Sequence, residues 1–432
     1  MSTPLRSRHA SLAVLALVLV SSTALADGGT VTPLPTVEEM PDGSELVLAL
    51  RPGAPSVSLH YVVRTGGQKD AHGKEGLAHL LEHLIFSGSH DVRGSDFRNA
   101  VKAAGGSFNG FTGAHATTYV LQAPSAAFLP LAEQLLRIVT SPTLDSRMMQ
   151  REVEIIRTES TYFSKGPGFR EHLEDTLFEG PVTRSLLGTA QTRNAITRED
   201  VVRFYTEHYV PANTSLVFTG GIGRAEVLGL LERAVRLPPS LPDEHRSVEI
   251  VPPLLPIEQA TRAPFILIAS GYAVEPKDRA QCPRVAAVLE MRLTRELHIE
   301  EPITLGLEVQ CMSLRGNTFL MVLASSSSMD ASNLPDRLQE AFALLAKKPM
   351  MAAEEKLVDQ RLQRLLAQQV DDDSRRGTEL ARQVAQPRTE RLTPVELLAP
   401  PAPLSRRAVQ DFARRTFVPE RQVVVNFSPF AG

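Results

Sequence analysis

Apolar positions along the chain follow two periods, and turn residues separate them. Leu46–Leu50 is a short apolar run, and Ser56–Val63 is longer and rich in β-branched residues. Both predict strands. Gly73–Phe86 and Asp96–Ala104 carry helical spacing, Thr117–Ala123 reads as a strand, and Leu129–Ser141 as a helix. A long helical pattern covers about Ser146–Phe163 and another Arg198–Tyr209; Leu216–Thr219 then predicts a strand closed by Gly220-Gly221. Helices and strands mixed in this way predict an α+β fold.

The pattern repeats. Thr197–Val217 aligns without gaps to Ser405–Val425 at a constant offset of 208, and Arg198/Arg406, Val201/Val409, Phe204/Phe412, Val210/Val418, Pro211/Pro419 and Val217/Val425 are identical pairs. Chance would give about one or two identities over such a window. Each stretch reads amphipathic helix, Val-Pro, apolar strand. The chain is therefore expected to hold two homologous domains made by tandem duplication, residues 27–237 and 257–432, joined by a Pro-rich linker at 238–256.

Composition narrows the function. With 43% hydrophobic and 22% charged residues the chain is globular in character, and a formal net charge of -3 without blocks of one sign argues against a nucleic-acid partner. Trp is absent, so base-stacking platforms are not expected either. Arg6, Arg8 and His9 precede an apolar run from about Ala10 to Val20 and the small-residue end Ala24-Leu25-Ala26. This order predicts a signal peptide over residues 1–26, cleaved before Asp27, with no membrane span after cleavage and a periplasmic or secreted protein. The two cysteines, Cys282 and Cys311, either bridge or stay as buried thiols; their spacing leaves both open.

The sharpest chemistry lies in Gly76-Leu77-Ala78-His79-Leu80-Leu81-Glu82-His83-Leu84-Ile85-Phe86. On a helix His79 and His83 are one turn apart and point to one side, which Glu82 shares. Two neutral imidazoles are good zinc ligands, and a carboxylate beside a metal-activated water can take its proton as the water attacks a carbonyl. The surrounding Leu77, Leu80, Leu81, Leu84 and Ile85 make a solvated polar face a poor alternative, because a polar trio in an apolar helix needs an internal partner.

His-x-x-Glu-His is the inverted zincin order, and here the chain resembles the pitrilysin/insulinase peptidases, which include the mitochondrial processing peptidase. The resemblance implies two α/β-sandwich domains of the mitochondrial processing peptidase type. It implies a third zinc ligand, a Glu some 75 residues past the motif. Glu159 stands there, in Arg151-Glu152-Val153-Glu154-Ile155-Ile156-Arg157-Thr158-Glu159, with 75 residues between it and His83. Glu152, two helical turns earlier, matches the family's supporting acidic position. Gly105-Gly106-Ser107-Phe108-Asn109-Gly110-Phe111-Thr112 resembles the family's Gly-Gly-x-x-Asn segment, an edge strand on which substrate lies extended, and makes Asn109 a substrate-contact candidate.

The second half departs from the family. It holds no His-x-x-Glu-His. Leu293-Thr294-Arg295-Glu296-Leu297 resembles the Arg side of the family's Arg/Tyr substrate pair, making Arg295 a substrate-binding candidate, but Pro302 stands seven residues on and no Tyr follows Tyr272. The resemblance thus implies a zinc endopeptidase acting on peptides or unfolded segments, with Glu82 catalytic and Zn2+ on His79, His83 and Glu159. A homologous subunit is expected to supply the missing Arg/Tyr pair in a heterodimer, with a homodimer as the other arrangement. The alternative from another class is a non-catalytic peptide-binding or scaffolding subunit.

Overall fold

The computed structural model describes residues 34–113, 115–163, 186–235, 257–261, 266–314, 317–327, 333–386, 391 and 404–429. The signal peptide expected at residues 1–26 and the linker expected at 238–256 lie outside the described residues.

The first half runs β1 (Thr36–Glu39), β2 (Glu45–Leu50), β3 (Ser56–Val63), α1 (Leu77–Ile85), α2 (Gly94–Ala103), β4 (Ser107–Thr112), β5 (Thr117–Pro124), α3 (Ser125–Thr140) and α4 (Ser146–Phe163). It continues with α5 (Ala190–Ala195), α6 (Arg198–His208), β6 (Thr214–Gly220) and α7 (Arg224–Ala234). The six strands form one sheet in the order β1-β2-β6-β3-β5-β4. Only β2 and β6 pair in parallel; the other neighbours are antiparallel. Leu46, Leu48, Leu59, Tyr61, Tyr119 and Leu121 turn one face of the sheet towards Leu80, Leu84, Phe128 and Leu135 of the helices. This burial supplies most of the drive to order the domain.

The second half runs β7 (Ile257–Thr261), β8 (Ile266–Val274), α8 (Cys282–Thr294), β9 (Gly306–Leu314), β10 (Asn317–Ser326), α9 (Leu334–Lys347) and α10 (Ala352–Asp371). Then follow α11 (Asp373–Val384), α12 (Arg406–Thr416) and β11 (Gln422–Pro429). Its sheet has the order β7-β11-β8-β10-β9, with β7 and β11 parallel. That is the order and the one parallel pair of β2-β6-β3-β5-β4 in the first sheet, so the duplication extends beyond the repeated sequence. At the repeat itself, Thr197 caps α6 by accepting from the Asp200 amide, and Ser405 caps α12 by accepting from the Ala408 amide. Short 3-10 turns at Pro211–Asn213 and Pro419–Arg421 then lead into β6 and β11.

The halves are interleaved. Leu380, Ala381 and Val384 of α11 pack on Val47, Ala49, Val62 and Val217, covering the face of the first sheet that its own helices leave open. Gly377 permits the approach, since a Cβ there would lie 2.5 Å from Nε2 of the buried His60. Arg51 pairs with Asp373 at 2.7 Å, and Arg391 donates to both carboxylate oxygens of Glu45 at 2.6 and 2.7 Å. With both faces of the sheet covered, β3 and β6 are buried at almost every position, polar residues such as Ser58, His60, Ser215 and Thr219 included.

Cys282, the first residue of α8, is disulfide-bonded to Cys311 on β9, with Cα atoms 6.1 Å apart. Among the described residues, no helix is long and apolar enough to cross a membrane.

Candidate metal centre

The helix that carries the motif is fixed at its start. Asp70, which is buried, accepts hydrogen bonds from the backbone amides of Gly76, Leu77 and Ala78 at 2.8, 3.1 and 2.9 Å. A carboxylate on three of the first free N–H groups both satisfies them and complements the helix dipole. Gly76 enters the helix with φ of 97°, and Leu187 and Gly188 pass within about van der Waals reach of where its Cβ would be, so only glycine suits the position. The Arg193 guanidinium donates to the carbonyls of Leu187 and Gly188 at 2.6 and 2.7 Å and holds that loop against the helix start.

From α1, His79 and His83 project to one side with ring centroids 4.7 Å apart and planes at 89°. Glu159 arrives from α4. Its Oε2 lies 3.9 Å from Nε2 of His79 and 3.5 Å from Nε2 of His83. One ligand atom from each of the three residues falls within 4.8 Å of the others. Ligand atoms about 2.1 Å from a tetrahedral ion are about 3.4 Å apart, so modest closure would seat zinc. The other nitrogen of His83, Nδ1, is 3.2 Å from Oε2 of Glu152, the carboxylate two helical turns before Glu159. Nδ1 of His79 is buried with no hydrogen-bond partner among the described residues. A set of two imidazoles and a carboxylate, with a further carboxylate behind one ring, fits zinc.

The electrostatics agree with that use. Burial lowers the pKa of His79 to about 3, with the nearby His83 and Arg193 adding to the effect, so its ring is neutral. Burial also opposes a charge on His83, but the hydrogen bond its ring donates to Glu152 and the charges of Glu82, Glu159 and Glu152 outweigh it and raise its pKa. A cation binding there would displace that proton. Glu82 is buried beside the pair; desolvation raises its pKa against the opposing hydrogen bond from Thr112 and the charge of His83. Thr112 Oγ1 donates to Glu82 Oε2 at 2.7 Å.

Two other candidates are placed elsewhere. Asn109 lies on β4, an edge strand among the described residues, yet its side chain is exposed on the face away from Glu82. Phe108, Gly110 and Thr112 turn towards α1, and successive strand residues face opposite sides. Arg295 begins the π-helical turn Arg295–Glu300, is exposed, and its guanidinium is taken by Glu300 at 2.7 Å. The sequence reading missed Asp70, Gly110, Thr112 and Arg193. Asp70 stands too far before α1 to look like a cap, and the link between Thr112 and Glu82 joins two elements.

Residues 46–190, which contain α1, β4 and the Glu159 segment, match the sequence profile of the family described as Insulinase (Peptidase family M16). This segment of the chain is similar to the pitrilysin/insulinase peptidases. Over 200 residues the chain is 23% identical to an uncharacterized zinc protease of Rickettsia bellii, covering 46% of this chain and 48% of that protein. The chain thus matches about half the length of the curated relatives it resembles. Solved structures extend the likeness in fold to both halves. A protease from Helicobacter pylori superposes with a TM-score of 0.79 at 17% identity, over 92% of this chain and 100% of that one. The peptidase M16 inactive domain from Pseudomonas fluorescens gives 0.77 at 15% identity, over 92% and 99%.

Proposed function

We propose that this chain is a secreted or periplasmic zinc-dependent endopeptidase that hydrolyses peptides or unfolded polypeptide segments. The observation that carries the reading is the meeting of His79, His83 and Glu159 beside the buried carboxylate of Glu82. Zinc bound there would supply a Lewis acid that acidifies water and polarises a peptide carbonyl. Glu82 takes the water's proton and delivers it to the leaving amine nitrogen. Glu152 keeps the His83 ring turned with Nε2 towards Glu159. The edge strand β4 offers backbone groups to an extended peptide, a mode of binding that tolerates many side chains.

A homologous partner subunit belongs to this reading. No Tyr follows Tyr272, and Arg295 is engaged by Glu300, so a donor for the developing oxyanion has to come from elsewhere. Export to the periplasm or beyond is supported by the leader-like residues 1–26 and by the Cys282–Cys311 disulfide, which suits an oxidising compartment. The rival reading, a non-catalytic binding subunit, has a precedent in the inactive domain from Pseudomonas fluorescens. It is less favoured because the four motif residues are intact and converge.

The deciding experiment measures zinc content and cleavage of a quenched peptide library for the protein from Asp27 and its Glu82→Gln variant, with and without a homologous partner. Near-stoichiometric zinc in both, with cleavage only when Glu82 is present, is the expected result. Zinc without cleavage in every pairing would establish the binding subunit instead, and absence of zinc would remove the site.

A further inference from the structure

We propose that Thr112 is a positioning residue for Glu82 and that the substrate-bearing edge strand orients the catalytic base. This rests on the reading of Glu82 as the base. Glu82 is buried, and its carboxylate meets β4 twice. Oε2 accepts from the Thr112 hydroxyl at 2.7 Å, and Oε1 lies against the strand at Gly110, where a Cβ would come within contact distance of it. A larger residue at 110 would occupy the space the carboxylate uses.

The strand is itself well fixed at this point. Phe108 packs on Phe86 and Phe97 with ring centroids 5.3 and 5.0 Å apart, which locks β4 to the end of α1 and to α2. Thr112 pairs with Thr117 across the hairpin, whose turn closes through the Gly113 amide and the Ala116 carbonyl at 2.8 Å. The Thr117 hydroxyl donates to the Thr65 carbonyl, and the Gly67 amide to the Gly113 carbonyl, tying the hairpin end to the segment after β3. Threonine restricts its own χ1, so the donor stays aimed.

A glutamate side chain otherwise keeps free rotation at its last bond. One oxygen engaged by Thr112 leaves the other to receive a proton, and the angle of that oxygen is set by the strand. A peptide added to the outer edge of β4 would stiffen the same strand. Occupancy of the edge and alignment of the base are then one event, which explains how a strand at the rim contributes to turnover as well as to affinity.

The test compares the full mature protein with Thr112→Val, Thr112→Ser, Thr112→Ala and Glu82→Gln, each assayed for zinc content, KM and kcat in the pairing that cleaves best. Valine keeps the shape and removes the donor. The expected result is a loss of kcat of roughly 10- to 100-fold in Thr112→Val, with KM and zinc content within about twofold and recovery in Thr112→Ser. Thr112→Ala provides the same loss of donor should valine disturb the strand. Crystal structures of metal-free Thr112→Val and Thr112→Ser give a readout that needs no activity: Glu82 should leave its place in the first and keep it in the second. An unmoved Glu82 in Thr112→Val, or a wild-type kcat there while Glu82→Gln is dead, overturns the role of Thr112 and leaves the peptidase intact. Equal cleavage by wild type and Glu82→Gln instead overturns the peptidase reading.

Discussion

Glu152 holds the back of His83: its Oε2 is 3.2 Å from Nδ1, while Nε2 of the same ring faces Glu159 at 3.5 Å. A carboxylate behind a ligand ring fixes the tautomer and raises the basicity of the nitrogen that binds metal. Glu152→Gln keeps an acceptor and removes the charge. Zinc affinity is expected to fall about 10- to 100-fold, read by competition with a chromophoric chelator. Unchanged affinity would reduce Glu152 to a packing role.

Asp70 gathers three amides at the start of α1. Asp70→Ala leaves them without that acceptor, and a cost of about 2 kcal/mol is expected from cap removal in a buried setting. Urea unfolding would measure it. Fraying of the first turn should also lower zinc occupancy when the metal is limiting, because His79 is the third residue of the helix.

His60 gives a pH dependence away from the metal centre. It lies on β3, with its Nε2 3.0 Å from the Ser58 hydroxyl and under Gly377 of α11, the helix that also carries Asp373 and Arg376. Burial lowers its pKa from 6.5 to about 4. The unfolded chain binds a proton there at a higher pH than the folded one, so stability is full above about 6.5 and falls as pH drops towards 4. The loss amounts to about 3 kcal/mol by linkage. Urea midpoints between pH 7.5 and 4.5 should show this slope, and His60→Gln should flatten it.

The disulfide joins positions 29 residues apart, Cys282 at the start of α8 and Cys311 on the edge strand β9. Closing a loop of that size stabilises by about 3 to 4 kcal/mol in the chain-entropy view. Cys311→Ser, or reduction, is expected to lower the melting temperature of the second half. The zinc content of the first half should be spared, and equal loss of both would show that the halves unfold together.

Much of the centre was legible in the chain. Helical spacing alone put His79, Glu82 and His83 on one side of α1, and the repeated helix-Pro-strand unit at Thr197–Val217 and Ser405–Val425 marked two related halves. Periodicity determines which residues share a face because it follows from local backbone geometry. It does not determine which faces meet. The tertiary structure decided that Glu159 turns its carboxylate to the two histidines across 75 residues, and that Cys282 and Cys311 are joined. It also decided that Asn109 faces away from Glu82 while Thr112 faces it, and that α11 of the second half closes the first sheet. Those outcomes depend on strand register and on the packing of distant surfaces, where a single-residue shift reverses a side chain, and no local pattern carries that information.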